Sequence, residues 1–202
     1  MPTRRTFSAA AVAALLIAVL LSAPLAAAKG ADEFIRNMGQ EAISSLTGPD
    51  LDDKEREARF RKILHASFDI QTIGRFTLGR YWRVATQEQR AEYIRLLEDF
   101  VVGSYAARFK EYKKDGSFKV GDVRDINERE KLVASQIVRD GQPPVAVHWR
   151  VRADTGFKIV DVVVEGISMG ITQRDEFAAV IRNNGGKVES LLSVLRKKTA
   201  KE

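Results

Sequence analysis

The sequence predicts an α+β fold, with one curved antiparallel sheet of about four strands and helices packed against it from both ends of the chain. Three observations predict it. From residue 32 to about residue 112, apolar residues recur at helical spacing. From Phe118 the period shortens to two and stays short through Met169. After Met169 helical spacing returns and holds to Lys197.

Ahead of these elements the chain reads as an export signal. Arg4 and Arg5 form a positive start, and Ala9 to Leu21 is unbroken and apolar. That run is shorter than the roughly 20 residues a membrane-spanning helix needs. Ala26-Ala27-Ala28 offers the small residues of a cleavage site, so cleavage is expected near Ala28. Thr3-Arg4-Arg5-Thr6-Phe7 also fits a twin-arginine signal, and both export routes stay open. The expected products are a signal peptide, 1–28, and a single soluble periplasmic domain, 29–202. The sequence has no cysteine, which excludes disulfides, thiol catalysis and a lipid-modified cysteine anchor. Its net charge of +6 is spread along the chain apart from Arg196-Lys197-Lys198, and it lacks the concentrated patch of a nucleic-acid binder.

The first helix is expected over 32–46, with Ile35, Met38, Ala42 and Leu46 on one face and Thr47-Gly48-Pro49 ending it. Asp50 is the expected cap of a second helix reaching about Ser67 and burying Ala58, Ile63 and Leu64. Acids in its first turn suit the helix dipole. His65 near its end reads as a surface or core histidine. A short helix over 70–77 carries Ile73 and Phe76, and a loop, Leu78-Gly79-Arg80-Tyr81-Trp82, follows. Its two aromatics either plug the core or line the rim of a pocket. Thr86 and Gln89 have the spacing of a capping box, opening the longest helix, to about Tyr112. Ile94, Leu97, Val101, Tyr105 and Phe109 form one stripe, and Tyr93, Leu96 and Phe100 another beside it. That apolar face is wider than one neighbour requires. Lys113-Lys114-Asp115-Gly116 ends the helix.

Strands are expected over 118–123, with Gly121 at a bulge, and over 132–138. Asp140-Gly141 makes a hairpin turn. Val145, Val147, Trp149 and Val151 then alternate strictly with polar neighbours, which marks a half-buried strand. A turn at 153–156 leaves Gly156 free to take a positive φ. The last strand, within 157–169, is apolar on both faces from Ile159 to Val164, except at Asp161, for which Arg150 or Arg152 would be the partner across the pair. Which of its faces would line a cavity stays open. Helices over 173–183, stopped by Asn184-Gly185-Gly186, and over 188–197 complete the chain.

One motif points to catalysis. Gly166-Ile167-Ser168-Met169-Gly170 fits the G-x-S-x-G elbow of serine hydrolases. That fold orders serine, acid, histidine on a parallel sheet, whereas His65 and His148 both precede Ser168 and this sheet reads as antiparallel. The expectation is that the glycines turn the chain out of the strand and Ser168 starts the next helix. Two isolated histidines and no cysteine give no metal-ligand spacing, and no catalytic residue or cofactor is expected. What remains is apolar surface in excess, either a plain core or a container.

The stretches Leu78-Gly79-Arg80-Tyr81-Trp82, Ala85-Thr86, Glu88-Gln89-Arg90, 100–105, Val147 and Trp149-Arg150-Val151 carry a family resemblance. The most specific stretch is Phe157-Lys158-Ile159, Asp161-Val162 and Val164-Glu165-Gly166-Ile167-Ser168-Met169, followed by Arg174 and Glu176-Phe177. Together they resemble the MlaC family, also known as the toluene-tolerance auxiliary family, over essentially the whole of 29–202. The family often has Trp where Phe157 stands and Tyr where Trp149 stands. The resemblance implies an NTF2-like fold enclosing an apolar cavity, and a periplasmic phospholipid carrier that maintains outer-membrane lipid asymmetry. Its implied partners are an inner-membrane ABC transporter with an MCE-domain ring and an outer-membrane lipoprotein–porin complex, with no nucleic acid. A monomer and no enzyme activity are expected.

Physical logic agrees with a carrier. Each buried methylene contributes about 0.8 kcal/mol, so an acyl chain of about sixteen carbons costs on the order of 12 kcal/mol to hold in water. The chains must be enclosed while the headgroup can stay wet. The expected lipid-binding residues are Leu78, Tyr81 and Trp82 at the rim, Val101, Tyr105 and Phe109 on the long helix, and Val147, Trp149, Val151, Val162 and Val164 on the sheet. Arg80 and Arg83 are the expected headgroup contacts. Other readings are a carrier of a hopanoid or another polycyclic isoprenoid, a serine esterase using Ser168, and an interaction module with a filled core.

Overall fold

The computed structural model describes residues 25–48, 50–110, 117–139, 141–154 and 156–200. Most of the export segment expected at 1–28, the helix stop at 113–116 and Asp140 of the hairpin lie outside the described residues. Helix α1 runs from Leu25 to Leu46 and so begins seven residues before the expected start at Asp32. Its core face is the predicted one: Ile35, Met38, Ala42 and Leu46 are all buried.

Helix α2, Asp53–Ser67, is capped by Asp52 and not Asp50; the Asp52 side chain accepts the Glu55 amide at 2.7 Å. Ile63 and Leu64 are buried as expected, but Ala58 is exposed. Arg56 takes that inward role instead. Its side chain is fully buried and donates to the Leu46 carbonyl at 3.0 Å, the Leu51 carbonyl at 2.8 Å, the Gly48 carbonyl at 3.4 Å and Asp53 at 2.8 Å. The guanidinium thereby satisfies carbonyls that the end of α1 and its loop leave without helical partners.

Helix α3, Ile70–Leu78, continues into a 3-10 turn, Gly79–Arg83, where a loop was expected. Gly79 permits the join with φ 58°. The long helix α4, Gln87–Tyr105, opens with the predicted capping box between Thr86 and Gln89 and passes into a second 3-10 turn, Ala106–Lys110.

The sheet is an antiparallel meander in the order β1-β2-β3-β4-β5. Its strands are β1 Ser117–Asp125, β2 Glu130–Arg139, β3 Gln142–Arg152, β4 Lys158–Val164 and β5 Ile167–Ser168. The bulge predicted at Gly121 is present as a register shift between Val120 and Val123. Gly156 adopts the positive φ that the β3–β4 turn requires, at 105°. The last apolar run is divided where one strand to Met169 was expected. Glu165 and Gly166 both take positive φ, the signature of a two-residue hairpin, and fold β5 back onto β4. Helix α5, Met169–Asn183, starts directly after it, and α6, Val188–Thr199, follows.

The elements form two cores. α1 lies on one face of the sheet, where Ile35, Met38 and Ala42 meet Val133, Val151 and Ile159. The second core is built by helices alone, with Tyr93, Leu96 and Leu97 of α4 against Phe177 and Ile181 of α5 and Leu191, Leu192 and Leu195 of α6. α4 packs on α6, α3 and α2, while α3 and α5 tie this helical layer to β4.

Candidate functional site

Register places Ser135 opposite Val147, Val133 opposite Trp149, Trp149 opposite Val162 and Val147 opposite Val164. Paired residues share a face, so Val147, Trp149, Val151, Val162 and Val164 all stand on the side that α1 covers. Val151 is fully buried, but Trp149, Val162 and Val164 are only half-buried. The Trp149 ring meets Phe118 edge-on at 6.2 Å, and its indole N–H donates to Ser135 Oγ at 2.9 Å. Ser135 Oγ in turn donates to the Val147 carbonyl at 2.8 Å. The one polar atom of the tryptophan is satisfied within the sheet, leaving its ring as apolar wall.

The predicted helix residues divide between the cores. Val101 is half-buried and touches the helical core and the small cluster of Leu64, Val102 and Ala106. Phe109 belongs with the sheet core, its ring 5.8 Å from Phe60. Tyr105 is exposed, with the Arg108 guanidinium 5.3 Å over its ring. Leu78 and Tyr81 are buried in the helical core, and Trp82 is half-buried against it beneath Arg90, 5.4 Å from its ring. The structure therefore sets the five sheet residues on one face and brings Trp149, Val151 and Val162 into one core with Phe109. It sets Leu78, Tyr81 and Trp82 with Val101 in the helical core. Phe118, Phe34 and Phe157 also adjoin the sheet face. Sequence reasoning passed over them, although Phe118 shares the alternation that marked β1.

Arg80 and Arg83 line an open depression of about 770 Å³ with Tyr81, Val84, Arg182 and Gly186. Tyr81 and Trp82 connect it to the helical core, and no sheet residue lines it. A second open depression, of about 310 Å³, lies on the other sheet face among Lys119, Gly121, Ala134, Gln136, Ala146 and His148.

The G-x-S-x-G segment is assembled as structure. Ser168 Oγ accepts the Ile171 amide at 3.0 Å, capping α5, and donates to Asp161 Oδ2 at 2.6 Å. Asp161 Oδ1 accepts the amides of Val162 at 2.9 Å and Gly170 at 3.0 Å. These contacts replace the expected pairing of Asp161 with Arg150 or Arg152. Arg150 instead reaches Glu130 at 2.7 Å, and Arg152 reaches Asp69 at 2.5 Å. Val163 pairs with His148 on one side and Ser168 on the other, which puts His148 and Ser168 two strand spacings apart, roughly 10 Å. No cluster of three or more metal-ligating side chains occurs among the described residues.

Tyr93, Asp69 and Glu98 are among the ionisable groups perturbed for structural reasons. Burial pushes the Tyr93 hydroxyl up from its ordinary value; it sits 2.7 Å from Thr77 Oγ1. Burial also raises Asp69, but hydrogen bonds from Thr72 and Arg152 outweigh it and hold the carboxyl low. Glu98 is held low in the same way by Arg61 and His65 against its own burial. His65 is exposed, its ring 2.9 Å from Glu98.

An antiparallel meander backed by one helix and flanked by a separate helical layer defines an α+β domain with an apolar sheet face. A family model described as MlaC protein matches residues 36–197, and the chain belongs to the MlaC family. It is also similar in fold to the phospholipid-binding protein from Ralstonia solanacearum, whose structure was solved in complex with a phospholipid. The TM-score is 0.76 at 22% identity, covering 84% of this chain and 97% of that one.

Proposed function

We propose that this protein is a periplasmic lipid carrier that holds the acyl chains of a glycerophospholipid against the inner face of its sheet. The observation that carries the reading is the row formed by Trp149 with Val162 and Val147 with Val164. These large apolar groups share a face, and three of the four are only half-buried beside a helical layer that keeps its own core. Apolar area left half-covered between two layers is where an acyl chain gains most by entering. Membership of the MlaC family and the phospholipid bound by the Ralstonia solanacearum protein support the choice of cargo.

In this reading, residues 1–28 are removed on export and 29–202 act as one domain. The carrier exchanges cargo with an inner-membrane MCE-domain ABC transporter and an outer-membrane lipoprotein–porin complex, and so maintains outer-membrane lipid asymmetry. No helix among the described residues is long and apolar enough to cross a membrane. Binding needs no chemistry: Ser168, the residue with a nucleophile's motif, spends its hydroxyl on Asp161 and on the α5 cap.

The test is Val162→Asp and Trp149→Ala, assayed for retention of a fluorescent phospholipid after gel filtration. A charge placed on the acyl-chain face should abolish retention while circular dichroism stays native. Retention equal to wild type in both folded variants would sink the reading.

A further inference from the structure

The depression bounded by the Gly79–Arg83 turn and the end of α5 collects charge without neutralising it. Arg80, Arg83 and Arg182 line it, and among the described residues no acid does. Several arginines elsewhere are matched: Arg36, Arg59, Arg61, Arg150, Arg152 and Arg196 each pair with a carboxylate, whereas Arg75 and Arg124, which have no such pair among the described residues, stand outside this depression. Arg83 and Arg182 have no carboxylate partner among the described residues, and Arg80 donates only to the Tyr81 hydroxyl, at 2.9 Å. Gathering three unpaired guanidinium groups around one hollow is unfavourable unless an anion enters it. Guanidinium forks match phosphate oxygens closely.

Two further features narrow the anion. Val84 stands on the same rim and is 72% exposed, the most exposed of the large hydrophobic residues among those described. Beside it Trp82 is half-buried beneath Arg90. Arginines around an apolar tip, with a tryptophan alongside, suit the headgroup layer of a bilayer, where the tip can sit among acyl chains while the cations meet phosphates. An acidic protein surface would engage the arginines but leave Val84 unexplained. The depression is also separate from the sheet face, since no described sheet residue lines it. Arg182 lies near the end of α5, a helix of 15 residues, about 22 Å long, whose other end is Ser168 on β5.

We propose that this depression is a membrane-docking site that binds the phosphates of anionic phospholipids in a bilayer, separately from the acyl-chain face. The inference rests on the carrier reading in one respect: a protein that loads lipid has reason to rest on a membrane. Arg80 and Arg83 then contact the headgroups of the membrane and not that of the enclosed lipid.

The experiment is flotation of the purified protein with vesicles of equal parts phosphatidylglycerol and phosphatidylcholine, against vesicles of phosphatidylcholine alone. Wild type should float with the anionic vesicles only, and high salt should release it. The triple variant Arg80→Ala, Arg83→Ala, Arg182→Ala should bind about a hundredfold more weakly, which corresponds to roughly 1 kcal/mol for each arginine. Val84→Asp, a change at an exposed position that spares the core, should weaken binding at least tenfold. Lipid content by native mass spectrometry should be unchanged in both variants. Equal flotation of wild type with neutral vesicles overturns the proposal. So does loss of bound lipid from the triple variant with vesicle binding intact, which would make these arginines headgroup contacts for the cargo. Flotation with neither vesicle would leave the depression to an acidic protein partner, and the proposal falls. A protein that docks yet carries no lipid would refute the carrier reading alone.

Discussion

Asp161 and Ser168 face each other across the β4–β5 hairpin, with the serine hydroxyl donating to the carboxylate at 2.6 Å. The same hydroxyl accepts the Ile171 amide, so one side chain locks the hairpin and starts α5. Ser168→Ala should therefore behave as the loss of a helix cap, costing about 1–2 kcal/mol. For a domain of this size, that lowers Tm by roughly 2–8 °C. The variant should leave any trace hydrolysis of a nitrophenyl ester unaltered. A measured hydrolysis that vanishes with the serine would restore the esterase reading.

Arg56 predicts a larger loss. Its fully buried guanidinium serves three carbonyls and Asp53 at the junction of α1 and α2. Arg56→Ala should cost about 3–5 kcal/mol, because it removes the donor of the Leu46 and Leu51 carbonyls and opens a cavity at a fully buried side chain. Arg56→Lys should recover less than half of it, since an ammonium cannot reproduce the fork. Urea unfolding midpoints of the three proteins would check the order.

Two helical glycines should respond in opposite directions to alanine. At Gly39 a Cβ would stand 2.4 Å from two atoms of the Phe118 ring, so α1 touches β1 through a missing side chain. Overpacking of about 1–3 kcal/mol exceeds the roughly 1 kcal/mol that alanine gains in helix propensity. Gly39→Ala should lower Tm. At Gly103 nothing lies within 4 Å, and Gly103→Ala should stabilise by about 0.5–1 kcal/mol. Thermal scans of the two variants suffice.

Asp69 sets part of the acid sensitivity. It caps α3 by accepting the Thr72 amide at 2.9 Å and pairs with Arg152 at 2.5 Å, and these contacts hold its carboxyl below the usual range in the folded state. The stability that this depression contributes is fully present above the unfolded carboxylate value, near pH 4, and is lost as pH falls further. Asp69→Asn keeps a capping side chain but loses the charge. The Tm difference between wild type and variant should be widest at pH 7 and close as pH drops from about 5 to 3. A constant difference would contradict the assignment.

Much of this architecture is written in local pattern. The strict alternation from Val145 to Val151 gives β3, and the Thr86–Gln89 spacing gives the start of α4. Gly121 marks its bulge for the same reason: a backbone signal two or three residues long suffices. Partners distant in sequence are not legible in that way. Arg152 finds Asp69 across 83 positions, and Asp161 finds Ser168 only because Glu165 and Gly166 turn the chain back on itself. Asp50 and Asp52 are equally good caps on paper, and the backbone selects Asp52. The apolar face could be read as a set from β3, but its separation from Leu78, Tyr81 and Trp82 depends on α4 packing on α6 and not on the sheet.

The central claim is that the sheet face holds acyl chains, and native mass spectrometry of the protein purified gently from its own cells, followed by lipid extraction, tests it most directly. The account predicts a bound mass equal to one diacyl glycerophospholipid, reduced or absent in Val162→Asp. A triterpenoid mass would contradict the proposed cargo, and a uniformly lipid-free protein would contradict the carrier itself.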